Sequence, residues 1–121
     1  MALAPALAIA LFIYWKDKHE KEPVGVLVMC FIFGVLICFP AGFWNSGVFE
    51  IFGYDLDRDD KGMLPSFFMA FFVVGLGEEL LKYLVVVLYA FRKPSFNEPF
   101  DGIVYVVMVS LGFAAFENII Y

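Results

Sequence analysis

Residues 66–91 read SFFMAFFVVGLGEELLKYLVVVLYAF, an apolar run whose only charges are Glu78, Glu79 and Lys82. At the centre of a lipid-spanning helix each such charge costs about 2.5 to 3.5 kcal/mol, roughly 9 for three. The fifteen Leu, Val and Phe residues of the run return about 0.3 to 0.6 kcal/mol each, roughly 7 in sum. The segment is therefore near balance, and its charges must be paired, neutralised or placed against a protein-lined cavity. Intramembrane ionisable residues are working groups by default, so this stretch sets both the fold class and the place to look for chemistry.

The rest of the chain agrees with that class. Of 121 residues 63% are hydrophobic and 20% aromatic, sixteen of them Phe, and mean hydropathy is +0.86. That length holds about four spans of ~20 residues and little else. The expected fold is all-α, a polytopic transmembrane helix bundle in one membrane domain over 1–121. Polar clusters divide it into spans at about 2–15, 24–43, 66–91 and 102–121. The first is short and not followed by a small-residue cleavage site, so it reads as a span and not a signal peptide. Pro23 opens the second span and Pro40 lies near its end, with Asn45 to Gly62 as a polar, acidic loop. The third span, from Pro65 onward, is long enough to require tilting or a kink.

Lys16, Lys18 and Lys21 in the first loop and Arg92 and Lys93 in the third face Arg58 and Lys61 in the second. The bias predicts cytoplasmic first and third loops. The net charge of -5 and the lack of a basic stripe argue against a nucleic-acid partner. Cys30 and Cys38 lie eight residues apart in one apolar segment, about 12 Å along a helix axis and too far for a disulfide.

Helical spacing links the charged spans. Glu79 and Glu117 come to similar depths from the cytoplasmic ends of their helices. Ser110, Ala114, Glu117 and Asn118 make a small, polar stripe, with Gly112 on an adjoining face for close approach. Gly75, Glu78 and Lys82 share another stripe, in which Glu78 to Lys82 is the favourable i, i+4 order for an ion pair. Glu79 then has no partner in its own helix. An unpaired carboxylate in apolar surroundings is the kind of group that proton transfer needs.

Gly77-Glu78-Glu79-Leu80-Leu81-Lys82, then Phe100-Asp101-Gly102-Ile103-Val104-Tyr105, then Leu111-Gly112-Phe113-Ala114-Ala115-Phe116-Glu117-Asn118-Ile119-Ile120-Tyr121 resemble the PrsW family of intramembrane proteases, relatives of the CAAX-processing and bacteriocin-immunity membrane proteases. Asp17 and Lys21-Glu22-Pro23 resemble that family's first cytoplasmic loop. The resemblance covers the amino-terminal part of the family pattern; members continue into further spans carrying a catalytic His, and the sole His19 lies in the first loop. It implies proteolysis of a membrane-anchored substrate such as an anti-sigma factor, in the bacterial inner (cytoplasmic) membrane, with Glu78 as base, Glu79 and Glu117 as second carboxylates, Asn118 as a hydrogen-bond donor, and Lys82 and Asp101 in support. The implied partners are that substrate, the lipid bilayer and the missing carboxy-terminal spans or another membrane subunit. The cofactor is unknown: the resemblance admits a divalent metal in the complete protein or a glutamate-only mechanism, and carboxylates without a nearby His are a poor zinc site. The chain alone is expected to be inactive.

Structural readings stand beside these. Glu78 and Lys82 can form a buried pair that fixes helix register. Glu117 and Asn118 can snorkel at the interface, and Asp101 can cap its helix. Asp55, Asp57 and Asp59 mimic an EF-hand, but Asp60 and Ser66 replace its required Gly and Glu. The Phe-rich stretch from Phe67 to Phe72 is lipid-facing or packing surface. The rival function is a non-catalytic bundle, either a degenerate relative or a transporter or channel subunit with a buried Glu/Lys pair.

Overall fold

A computed structural model describes residues 3–16, 23–53 and 62–120, and among these residues all regular structure is helical. The loop residues His19, Lys18 and Lys21 and the acidic Asp55, Asp57 and Asp59 lie outside the described residues, as do Arg58 and Lys61. The helices are α1 (Ala4–Lys16), α2 (Val24–Leu36), α3 (Cys38–Ile51), α4 (Met63–Phe68), α5 (Leu76–Leu88) and α6 (Pro99–Ile120). A π-helical segment, Met69–Gly75, joins α4 to α5, and a 3₁₀ turn, Ala90–Arg92, follows α5.

The second span differs from expectation in a way that matters for the site. Pro40 does not close it. It falls in the first turn of α3, where a missing N–H is tolerated, and the break it causes is confined to the turn at Ile37 between α2 and α3. The helical path therefore runs Val24–Ile51. Asn45, placed in a loop by its polarity, is helical. The stop is at Gly53, whose φ of 59° is the left-handed conformation that ends helices, with its N–H bonded to the Glu50 carbonyl at 3.1 Å.

Helix α6 is the hub. It packs against α1, α2, α3 and α5 and buries Val104, Tyr105, Val109, Leu111, Phe113 and Ala115. Val104, Tyr105 and Val109 join Leu27 and Cys30 of α2 and Val86 of α5 in the core. The α2–α6 crossing is backbone on backbone: a Cβ on Gly34 would collide with the Val109 carbonyl, and one on Gly112 with the Phe31 carbonyl. Small residues that admit such approach are the usual glue where lipid removes the hydrophobic drive between helices. Both cysteines are free thiols.

Most other large apolar side chains face outward, including the ladder in which Phe67 stacks on Phe71 and Phe68 on Phe72 with centroids 5.8 and 5.6 Å apart. Exposed apolar surface on this scale suits lipid. Val24–Ile51 and Pro99–Ile120, 28 and 22 residues, are long and apolar enough to cross a bilayer.

Candidate active site

At the start of α6, Pro99 takes the first helical position, where its ring suits the backbone, and Asp101 follows within the first turn. The Asp101 carboxylate is fully buried, and its Oδ2 accepts the backbone N–H groups of Asn97 at 2.9 Å and Glu98 at 2.7 Å. This is the reciprocal arm of a capping box. Phe96 stacks on Tyr105, whose hydroxyl lies 2.7 Å from Ser95 Oγ, closing the turn beneath. Asp101 thus sits in the helix-capping arrangement, about 24 Å along α6 from Glu117.

Near the other end of α6, Glu117 faces α3 and α5. A cleft of about 320 Å³ opens there, lined by Glu78 of α5, Glu117, Cys38 and Asn45 of α3, and Phe113 and Phe116 among others. Two carboxylates from separate helices thus meet one cavity with largely apolar walls. Asn45 Nδ2 donates to Glu78 Oε1 at 3.3 Å, while Asn45 Oδ1 is buried and accepts no hydrogen bond. A buried amide acceptor left unsatisfied costs about 1 to 3 kcal/mol. Its orientation is therefore governed by the carboxylate, which needs the donor end facing it. The Cys38 thiol donates to the carbonyls of Gly34 and Phe113, both at 3.6 Å, tying the start of α3 to α6.

The ion pair differs from the one expected. Lys82 Nζ bonds Glu79 Oε1 at 2.7 Å, three residues back, and not Glu78. On a helix both spacings are within reach; here the neighbouring helix decides. Lys82 lies 4.5 Å from the centroid of the Phe113 ring and is only 14% exposed, whereas the Glu79 side chain is 68% exposed. Asn45 of the neighbouring α3 engages Glu78, and the ammonium, packed over the Phe113 ring, pairs with Glu79. Asn118 is exposed and does not line the cleft.

Asn45 is the residue that sequence reasoning missed. The signal was present: Cys38, Ala41, Gly42, Asn45 and Phe49 recur at helical spacing and all line the cleft, but a cluster of polar residues after Phe43 masked the period. Among the described residues no three His, Cys, Asp or Glu side chains converge to hold a metal ion. Glu78 and Glu117 offer two carboxylates and no imidazole, so the described donor set falls short of a complete site for a catalytic metal.

No solved structure matches the chain significantly. A profile described as PrsW family intramembrane metalloprotease matches residues 22–121. Proteins named Protease PrsW from Bacillus subtilis (strain 168), Geobacillus kaustophilus (strain HTA426) and Oceanobacillus iheyensis are 37%, 39% and 38% identical over 119 residues each, 98% of this chain and 50%, 49% and 51% of theirs. The chain spans about half the length of the curated relatives it matches. Helical architecture, apolar exterior, paired carboxylates and these matches agree: the chain belongs to the PrsW family of intramembrane metalloproteases, a family of membrane proteins.

Proposed function

We propose that this chain carries the paired-carboxylate part of the active centre of a protease that cleaves a membrane-anchored protein, such as an anti-sigma factor. The observation that carries the reading is the meeting of Glu78 and Glu117 at one cleft between apolar helices. In this reading Glu78 takes a proton from water as the water oxygen bonds to the scissile carbonyl carbon. Glu117 then protonates the amide nitrogen as the C–N bond breaks. The two groups divide base and acid work, which contributes typically 10²- to 10⁴-fold.

The same reading places α1 and the stretch from α4 to α5 in the bilayer beside the two long apolar helices, giving four spans. Glu78 and Lys82 of α5 then face protein instead of lipid. The Lys bias places the first and third loops on the cytoplasmic side of a bacterial cytoplasmic membrane. Glu79 serves by holding Lys82 against α6, and Asp101 by capping it.

The test is cleavage of a transmembrane reporter by the complete protein in micelles. Glu78→Gln and Glu117→Gln are expected to abolish cleavage with melting behaviour unchanged. Wild-type cleavage by both overturns the reading.

A further inference from the structure

The residues before the Glu78–Glu79 pair do not form an α-helix. Over Met69–Gly75 the hydrogen-bond step is π-helical, which widens the turn and rotates everything after it relative to a continuous α-helix; such segments concentrate at functional sites. Adjacent glutamates lie about 100° apart around the axis. A rotation of that order would exchange them, bringing Glu79 to the cleft and turning Glu78 out. Something must therefore hold the rotation of α5.

Two consecutive residues of α3 touch the segment on either side of that choice. The Trp44 indole N–H donates to the Val73 carbonyl at 3.2 Å, within the π turn. Its ring lies against Gly77, where an added Cβ would sit 2.6 Å from Nε1 and 2.9 Å from Cδ1. Asn45, next in sequence, donates to Glu78. Trp44 is 53% exposed, and in an apolar exterior an N–H and a carbonyl each need a partner, so Trp44 and Val73 satisfy each other. We infer that Trp44 and Asn45 are positioning residues that clamp the π segment and α5 in the rotation presenting Glu78, and not Glu79, to the cleft. The inference rests on the proposed role of Glu78.

Cys38 supplies a readout that does not depend on activity, because it lines the same cleft as Glu78. In the complete protein with Cys30 replaced by Ser, Glu78→Cys is expected to crosslink to Cys38 with a short bifunctional thiol reagent and Glu79→Cys is not. Adding Trp44→Phe, which keeps an aromatic ring but removes the indole N–H and the edge against Gly77, is expected to raise the yield at position 79 at the expense of 78. With the native glutamates, Trp44→Phe and Asn45→Leu should lower kcat about 10- to 100-fold, the scale of a small misplacement of a reacting group, with KM unchanged. Asn45→Gln, which keeps the donor, should recover part of the loss, and the isosteric Asn45→Asp none. If Trp44→Phe fails to fold, Gly77→Ala presses on the indole from the other side and should shift the crosslinking in the same direction. An inactive Glu78→Gln beside wild-type kcat in Trp44→Phe and Asn45→Leu, with unaltered crosslinking, overturns the clamp and leaves the proposed function standing. A fully active Glu78→Gln overturns the function beneath it, and the crosslinking pattern still decides the rotation.

Discussion

Asp101 and Glu117 are two acids on one helix with opposite settings. Asp101 is buried to zero exposure and its carboxylate is engaged by two backbone N–H groups. Glu117 borders an open cleft and shares it with a second carboxylate. The first carboxylate closes the orphan donors of a helix start; the second is left available. Burial alone thus does not separate an engaged carboxylate from an available one in this protein. What separates them is whether backbone N–H groups already bond the carboxylate, as two do at Asp101 Oδ2.

The sharpest way to break this contrast is Glu117→Gln in the complete protein. Reporter cleavage is expected to fall about 10²- to 10⁴-fold, equivalent to roughly 3 to 5 kcal/mol of barrier, while the melting temperature in micelles is unchanged. A fall in melting temperature with cleavage intact would make Glu117 a second structural acid.

Asp101→Ala should do the reverse. It removes two charge-assisted hydrogen bonds at a fully buried position, which corresponds to about 3 kcal/mol of stability. Denaturant titration checks the loss, and cleavage per folded molecule is expected to match wild type.

Gly112→Ala lies between the two acids and should report on neither. Its Cβ would strike the Phe31 carbonyl, and overpacking of this kind costs about 1 to 3 kcal/mol. The same titration measures it, and a neutral result would mean that α2 and α6 can separate without consequence. The smallest effect on cleavage is expected at Glu79→Gln, whose side chain is exposed and does not line the cleft, so cleavage should drop far less than in Glu78→Gln. Equal losses at the two positions would erase the distinction drawn between cleft-facing and outward glutamates.

Much of this was legible in residue order. The charges inside residues 66–91 and the acid near the end of α6 pointed to Glu79 and Glu117 as carboxylates at matching depth, because helical rise and span length fix depth, whereas the cleft is lined by Glu78 and Glu117. Which glutamate faces inward was not legible, since Glu78 and Glu79 are consecutive and the inward side is defined by α3 and α6, which pack beside α5. Lys82 was matched to Glu78 by spacing, but Glu78 is engaged by Asn45 of another helix. Asn118 was grouped with Glu117 by adjacency, yet neighbours in a helix point 100° apart. Asn45 was hidden because local polarity resembles a loop, and only Gly53, eight residues later, carries the stop.

The chain has two tryptophans, and one of them, Trp44, is hydrogen-bonded to the π turn beside the candidate base. With Trp15→Phe, the remaining indole becomes a spectroscopic probe built into the clamp itself. Its emission responds to whether the N–H is bonded and to what covers the ring, so occupancy of the neighbouring cleft can be followed optically, in a bilayer and in real time, without attaching a dye.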